Sequence, residues 1–372
     1  MRKLRNQQCR LGAVHESTGL AKCDRNSYRE SSCREEGPMP EAGATLAQIA
    51  EAAGVSIPTV SRVLNGKPGI SAPKREEIER LLEDRGYARR KPRRGTPLID
   101  FVISSLETQW ATELLRGAQA EAARAGADLV LNATDGRPAG SPDWIERISA
   151  RGTDGVVLVV SELEPQARRE LSRLQVPVVA IDPIGSDTES FVTVSATDWV
   201  GGREATEHLL ALGHRRIGFI TGPITLECHQ DRLDGYTSAL GRAGIAADPS
   251  LVRQGDSLIA GGQRFGGELL DLTDRPTAII SGSDEQAYGV YLAARERGLR
   301  IPEDLSVVGF DDVDLCRWVS PQLTTVRQPL SSMAAEATRL LLKLAAGEEV
   351  ASPTVRLASK LIVRDSTAAP AS

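Results

Sequence analysis

Residues 45–65 of the 372-residue chain read TLAQIAEAAGVSIPTVSRVLN, and this stretch has the clearest local pattern in the sequence. Thr45, followed three residues later by Gln48, forms a capping box that is typical of a helix start. Gly54 favours the left-handed backbone that ends a helix and turns the chain. The pattern predicts a first short helix with an apolar face comprising Leu46, Ile49, Ala50 and Ala53.

A second short helix is predicted to begin directly after this turn. Ser56 is a suitable N-cap, and Pro58 falls in the first turn, where its missing N–H costs little. Two helices joined in this way can place the second helix in the major groove of DNA. The same pattern also fits a helical hairpin inside any α-helical domain. The predicted inward face of the second helix comprises Val60, Val63 and Leu64.

The exposed side of the second helix supplies the candidate DNA contacts. Ile57 and Pro58 can offer apolar contact to base edges, and Arg62, one turn later, can bond guanine bidentately. Ser56, at the start of this helix, is also a candidate DNA contact. Phosphate contacts, which position a protein without reading sequence, are predicted for Thr45, Thr59, Ser61 and Asn65.

Charge is distributed unevenly along the chain, although the net charge is only -5. Residues 44–97 carry 11 Lys and Arg against 6 Asp and Glu, whereas residues 98–372 carry 26 against 38. A basic module on an acidic body indicates that one part of the protein meets a polyanion while the rest avoids it.

Composition points to an ordinary globular protein, with 41% hydrophobic and 26% charged residues. No apolar run reaches the roughly 18 residues of a membrane helix. No apolar segment follows the Arg-rich N-terminus as in a secretory signal, so we expect a cytoplasmic protein.

Five cysteines raise the question of a metal site. Cys9, Cys23 and Cys33 lie near His15, but their spacings are wide and no C-x-x-C pair occurs. Free thiols in a reduced compartment are the favoured interpretation. We expect neither a metal nor a cofactor.

The chain divides into five segments. Residues 1–43 are polar, lack periodicity and are predicted to be disordered. Residues 44–87 contain three short helical patterns. Residues 88–97 are a basic linker interrupted by two prolines and a glycine. A long patterned region, 98–366, is followed by a predicted tail, 367–372.

The long region alternates short apolar runs with amphipathic stretches, which predicts an α/β fold with parallel sheets and right-handed crossovers. The units are too many for one sheet, so we expect two similar lobes with a ligand site in the cleft between them. The predicted strands are residues 98–104, 128–132, 155–160, 176–182, 192–194, 217–221, 277–281 and 306–310. The predicted helices are residues 111–125, 164–174, 199–212, 233–243 and 285–297.

Several motifs occur in an order that resembles the LacI/GalR family of regulators. Residues 53–65, AGVSIPTVSRVLN, with a third helical pattern over residues 73–86 and RGY at residues 85–87, resemble the family's DNA-binding headpiece. The resemblance extends from about residue 44 to residue 366. Later landmarks are ELLRG at 113–117, HLLALGHRRI at 208–217, RLDGY at 232–236, IPEDLSVVGFDD at 301–312 and PQLTTVRQ at 321–328.

The resemblance implies a helix-turn-helix headpiece followed by a two-lobed, periplasmic-binding-protein-like α/β sensor. Lobe 1 is expected at residues 98–195 plus 328–350, and lobe 2 at residues 196–327 plus 351–366. The resemblance also implies a homodimer on a near-palindromic, double-stranded DNA operator. The bound ligand would change the closure of the lobes and thereby the spacing of the two headpieces. The resemblance also favours a repressor that a sugar releases from DNA.

One departure from the family concerns the linker. Relatives usually have a hinge helix there, with a leucine that wedges into the central minor-groove step. Residues 88–94 read ARRKPRR, in which Pro92 would break a helix and no leucine is present. The linker is either a flexible tether or a set of contacts to phosphates or a narrow minor groove, made by Arg89, Arg90, Arg93 and Arg94.

The resemblance also selects candidate ligand-binding residues. By match to the family, Arg232 and Asp311 are the first candidates, and Gln328 lies in the crossover between the lobes. Asp182 ends a predicted strand at the cleft, although a cap or loop role would also place an Asp there. For Arg232 the alternative is a surface salt bridge, and for Trp110, a candidate ring platform, the alternative is the core.

Two further positions depart from the family pattern and leave the ligand open. Ser283 replaces a common asparagine before Asp284, and Ser257 stands where an aromatic residue often occurs. We retain Ser283 among the ligand-binding candidates. A sugar is the expected ligand, and a purine corepressor is the alternative.

Two other classes of protein were weighed. Residues 255–258, GDSL, match the tetrapeptide of a class of serine esterases, in which a histidine base follows the serine along the chain. No histidine follows Ser257, so we expect no enzyme activity and no catalytic residue. A transport binding protein would have similar lobes but would need export and would not carry the helix-turn-helix.

Overall fold

The computed structural model describes residues 46–64, 69–84, 95–135, 137–160, 162–184 and 191–371. The predicted disordered segment and most of the basic linker lie outside these residues. The helices are α1 (Leu46–Ala52), α2 (Ile57–Leu64), α3 (Ala72–Asp84), α4 (Gln109–Arg124), α5 (Pro142–Arg151), α6 (Pro165–Arg173), α7 (Asp198–Ala211), α8 (Glu227–Arg242), α9 (Ile259–Leu270), α10 (Asp284–Glu296), α11 (Leu315–Trp318) and α12 (Leu330–Ala346). The strands are β1 (Leu98–Ile103), β2 (Asp128–Ala133), β3 (Gly155–Val159), β4 (Val178–Ile181), β5 (Val192–Ala196), β6 (Ile217–Thr221), β7 (Val252–Gln254), β8 (Ala278–Ser281), β9 (Ser306–Asp311), β10 (Thr324–Arg327), β11 (Thr354–Leu357) and β12 (Lys360–Ile362).

The first three helices form a small unit with its own core. Gly54 has φ +63°, so the left-handed turn predicted between α1 and α2 is confirmed. The backbone N–H of Val55 donates to the carbonyl of Ala50 at 2.9 Å and closes that turn. The buried side chains of this core are Ile49, Ala50, Ala53, Val60, Val63, Ile78 and Leu82.

Two six-stranded sheets form the rest of the described chain. Lobe 1 contains the sheet with strand order β11-β5-β4-β3-β1-β2, in which all pairs are parallel. Lobe 2 contains the sheet β12-β10-β9-β8-β6-β7, in which only β12 is antiparallel. Buried apolar strands covered by helices on both faces require this arrangement.

The structure corrects two of our expected boundaries. We expected residues 351–366 in lobe 2, but β11 pairs with β5 in lobe 1, so the last crossing between the lobes precedes β12. We expected a free tail from residue 367. Instead, the carbonyl of Ala368 accepts a hydrogen bond from Nε2 of His214 at 2.9 Å, because these residues lie against lobe 2.

Helix α8 begins at Glu227, six residues before the predicted start. Its first turns carry His229 and Arg232, which are buried but polar, so apolar periodicity did not reveal them. Helices α5, α9 and α12 were not predicted individually. None of the described helices is long and apolar enough to cross a membrane.

Candidate functional site

A cavity of about 450 Å³ lies between the two lobes, at the carboxyl ends of strands from both sheets. Its size falls in the range typical of small-molecule sites. Lobe 1 contributes residues that include Ser104, Trp110, Thr134, Arg137, Val160 and Asp182. Lobe 2 contributes residues that include His229, Arg232, Ser257, Ser283, Glu285 and Asp311.

Backbone strain is concentrated at this cavity. Val160, Asp182, Ser257 and Asp311 line it and have φ values of 39°, 44°, 67° and 119°, in the region that favours glycine. Such conformations cost about 1–3 kcal/mol each and persist where surrounding structure holds them. The strand ends are therefore held in place to present side chains to the cavity.

Arg232 is buried, with 4% of its surface exposed, and is held by lobe 2. Its Nε donates to Oδ1 of Asp198 at 2.7 Å, and its Nη1 donates to the carbonyl of Gly282 at 2.7 Å. The guanidinium also lies 3.9 Å from the centroid of the Phe310 ring. Burial opposes its charge, but Asp198 and other neighbouring carboxylates more than offset this and raise the pKa of Arg232.

Gln328 does not line the cavity. Its Nε2 donates to Oδ1 of Asp198 at 3.2 Å, so it supports the residue that holds Arg232. The structure thus places Gln328, a predicted ligand-binding residue, behind the cavity wall. Asp198, which the sequence did not single out, is the residue that connects the two.

Three carboxylates each present an oxygen without a hydrogen-bond partner among the described residues: Asp182, Glu285 and Asp311. Burial, reinforced by Asp198, raises the pKa of Asp182 to about 8. Burial also raises the pKa of Glu285 and, against the charge of Arg232, raises that of Asp311 well above its usual range. Raised pKa values favour the protonated carboxyl, which both donates and accepts hydrogen bonds, so this cavity is suited to ligand hydroxyl groups, which also do both.

The remaining two ligand candidates have different surroundings. Trp110 lies half-buried in the first turn of α4 and lines the cavity. Ser283 also lines it, but its hydroxyl donates to the carbonyl of Ser257 at 2.8 Å and accepts from the backbone N–H of Gln286 at 3.1 Å. Ser283 is thus the N-cap of α10 as well as part of the wall.

A serine–histidine pair lies in the same cavity. Oγ of Ser257 is 3.1 Å from Nε2 of His229, which precedes it in the chain. In the esterases the histidine follows the serine along the chain, so the sequence pattern did not predict this contact. Burial, followed by the charge of Arg232, holds the pKa of His229 well below its usual value. Nδ1 of His229 has no hydrogen-bond partner among the described residues, so no acid orients the pair as in a catalytic triad.

The headpiece site is described in part. Arg62 is exposed on α2, one turn after Thr59, so the two side chains share a face of the helix. Oγ of Ser56 lies 2.9 Å from Oγ1 of Thr59 at the start of this helix. The side chains of Ile57, Pro58 and Ser61 lie outside the described set. So do Thr45, Asn65, Arg89, Arg90, Arg93 and Arg94.

A helix-turn-helix unit and a two-lobed α/β unit with a ligand-sized cavity between its lobes together define the class of ligand-responsive DNA-binding regulators. The family model described as bacterial regulatory proteins, lacI family, matches residues 45–90, and the periplasmic binding protein-like domain matches residues 206–367. The chain belongs to the LacI family of bacterial transcriptional regulators. The fold and family predicted from the sequence are therefore confirmed.

Individual relatives match over nearly their full length. The transcriptional repressor CytR of Escherichia coli (strain K12) is 33% identical over 334 residues, which cover 88% of this chain and 98% of CytR. The ribose operon repressor of Haemophilus influenzae is 32% identical over 305 residues, 81% of this chain and 91% of that protein.

Solved structures of transcriptional regulators are also similar to this chain over most of its length. A complex of the transcriptional regulator CelR with cellobiose has a TM-score of 0.66 and 32% identity, covering 87% of this chain and 99% of that one. The lac repressor dimer bound to its operator and the anti-inducer ONPF has a TM-score of 0.65 and 28% identity, covering 88% and 99%.

Proposed function

We propose that this regulator represses its target genes as a homodimer bound to a near-palindromic operator, and that a neutral sugar in the cavity between the lobes releases it. The observation that carries the ligand part is the set of three buried carboxylate oxygens, on Asp182, Glu285 and Asp311, that lack donors. Sugar hydroxyls are donors that can reach several acceptors at once.

The charge of the cavity supports a neutral ligand. Six carboxyl side chains line it, Glu107, Glu162, Asp182, Asp256, Glu285 and Asp311, and burial raises the pKa values of Asp182, Glu285 and Asp311, so these three hold their protons more readily than free carboxyl groups. The buried guanidinium of Arg232 is already paired with Asp198, so it is not free to bind an anionic ligand such as a sugar phosphate. Trp110 supplies an apolar ring surface for one face of a sugar.

One relative is a ribose operon repressor, and the structure of another, CelR, contains cellobiose, which agrees with this proposal. A purine corepressor is the second candidate, because purine ring N–H and amino groups also donate to carboxylates. The direction of the response separates the two. A sugar inducer weakens operator binding, whereas a corepressor strengthens it.

On DNA, we propose that α2 lies in the major groove and that Arg62 reads a base edge, with Ser56 and Thr59 near the phosphates. The exposed position of Arg62 supports this assignment. For the linker we propose that its arginines contact phosphates or a narrow minor groove in place of a wedging leucine. Because the proposed operator lies in chromosomal DNA, we also propose that the protein is cytoplasmic.

We propose that the protein has no enzymatic activity of its own. The Ser257–His229 pair lacks a carboxylate on Nδ1 of the histidine within the described chain, which weakens the esterase alternative. The pair instead presents polar atoms to a bound ligand.

A ligand screen with an operator readout tests this proposal. D-ribose, cellobiose, adenine, guanine and ribose 5-phosphate are compared by thermal shift, because binding raises apparent stability. We expect a neutral sugar to raise the unfolding midpoint and to weaken binding to an operator fragment. Stabilisation by ribose 5-phosphate alone would contradict the charge argument, and tighter operator binding with adenine or guanine would favour the corepressor alternative.

A further inference from the structure

The two carboxylate oxygens of Glu285 have different surroundings: one is bonded to lobe 1, and the other has no partner among the described residues. It is the second residue of α10 in lobe 2, and only 7% of its surface is exposed. Its Oε1 accepts a hydrogen bond at 2.9 Å from the backbone N–H of Gln109, the first residue of α4 in lobe 1. Its Oε2 has no hydrogen-bond partner among the described residues, and Glu285 lines the cavity.

Gln109 returns a second bond to lobe 2. Its side-chain Oε1 accepts at 2.9 Å from the backbone N–H of Leu315, the first residue of α11. The N-terminus of α4 is therefore held from two elements of the other lobe, and a carboxylate is well placed there because it faces the positive end of the helix dipole. Gln109 itself does not line the cavity.

The two hydrogen bonds that Gln109 makes with Glu285 and with Leu315 are here called the clasp. Other contacts also join the two lobes. Val313, which precedes α11 in lobe 2, is buried within the apolar cluster of lobe 1. Elsewhere, Ile184 of lobe 1 and Leu226 of lobe 2 form an isolated antiparallel bridge. These contacts show that the described conformation is one in which the lobes meet. Glu285 differs from them in that it also lines the cavity and has a buried oxygen, Oε2, without a partner among the described residues.

We propose that Glu285 couples the occupancy of the cavity to closure of the lobes, with Oε1 closing the lobes on Gln109 and Oε2 receiving a donor from the ligand. This inference rests on the proposed function, in which a small molecule occupies the cavity. In the empty closed form, Oε2 is buried without a donor, which favours opening to water. A ligand hydroxyl removes that cost only when the lobes are closed, so binding shifts the population toward closure.

Amide hydrogen exchange on the full-length chain tests the clasp without any ligand. In a Glu285→Ala variant we expect the Gln109 amide to exchange about tenfold faster or more, because its buried hydrogen-bond acceptor is lost. The matched control is Glu296→Ala on the same helix, whose carboxylate bonds the side chain of Gln263 within lobe 2. A Gln109→Ala variant should instead expose the amide of Leu315, since it removes only the side-chain acceptor.

A Glu285→Gln variant separates the two oxygens. Its amide oxygen can still accept from Gln109, but its NH2 group replaces the free acceptor with a donor. We expect the ligand-free exchange rate at Gln109 to stay within about threefold of the parent, because that bond is kept. With cellobiose or D-ribose as the probe, the added protection seen in the parent should be lost.

The outcomes distinguish this inference from the proposed function. A folded Glu285→Ala protein whose Gln109 amide exchanges at the parental rate overturns the clasp, whether or not any probe binds. A Glu285→Gln protein that keeps the full probe-induced protection overturns the ligand role of Oε2. If the parent binds none of the probes, the sugar assignment fails, and the Glu285→Ala result alone decides the clasp.

Discussion

Nε of Arg232 donates to Oδ1 of Asp198 across 2.7 Å, and both side chains are almost completely buried. The pair stands beside Asp182 and Asp311, so a single guanidinium compensates several carboxylates at the lobe boundary. The arrangement places a buried positive charge among the carboxyl groups of the cavity wall.

Replacing Arg232 with methionine should destabilise the protein by about 3 kcal/mol or more, because it leaves Asp198 buried without its partner. Urea unfolding followed by circular dichroism measures the change. Arg264→Met is the control, since Arg264 pairs with Glu268 on the exposed surface and should have little effect. Equal stability of the two variants would show that Arg232 does not compensate the cluster.

Asp182 should lower the free energy of unfolding progressively as the pH rises from about 4 to about 8. Burial raises the pKa of Asp182 to about 8, whereas an unfolded Asp titrates near about 4. Between these values the folded protein keeps a proton that the unfolded chain has released, so raising the pH favours unfolding. Urea midpoints at several pH values should therefore decline less steeply for Asp182→Asn than for the parent. Parallel curves for the two proteins would refute the assignment.

Arg62→Ala should lower the affinity for the best operator sequence by about 1–3 kcal/mol for each half-site and relax discrimination at one base-pair position in each. Arg80→Ala, which removes an exposed arginine from α3, serves as the charge-matched control. Fluorescence anisotropy with an operator and a single-base variant measures both effects. A folded Arg62→Ala protein that binds with unchanged affinity and selectivity would contradict the placement of α2 in the groove.

Replacing the four linker arginines, Arg89, Arg90, Arg93 and Arg94, with serine should reduce the magnitude of the slope of log K against log salt by about 7, because the proposed homodimer would lose the four contacts twice, at about 0.9 per phosphate. The parent should also bend its operator only weakly, because the linker contains no leucine to wedge between base pairs. Binding at graded salt concentrations and a gel-based bending assay measure these properties. An unchanged salt slope would identify the linker as a tether, and a strong central kink would refute the absence of a wedge.

The local sequence was sufficient to predict the short helices of the headpiece and the turn between the first two. Gly54, the N-cap Ser56 and the apolar spacing act within one or two helical turns, so each could be read from its neighbours, and the turn at Gly54 was found as predicted. The alternation of strand and helix patterns likewise predicted the α/β lobes, because the spacing of apolar residues along each element reflects which of its faces is buried.

The cavity depended on contacts between distant parts of the chain. Family resemblance indicated Arg232 and Asp311, but not that Asp198, 34 positions away, holds the arginine, or that Gln328 lies behind it. The bond from Gln109 to Glu285 spans 176 positions and joins two lobes.

The sequence by itself thus determined the family, the helix-turn-helix and the two-lobed architecture. Only the tertiary structure decided which polar side chains meet in the cavity and which of their atoms remain without partners. The physical reason is that helix caps and periodicity depend on near neighbours, whereas burial and pairing of a carboxylate depend on whatever the fold brings beside it.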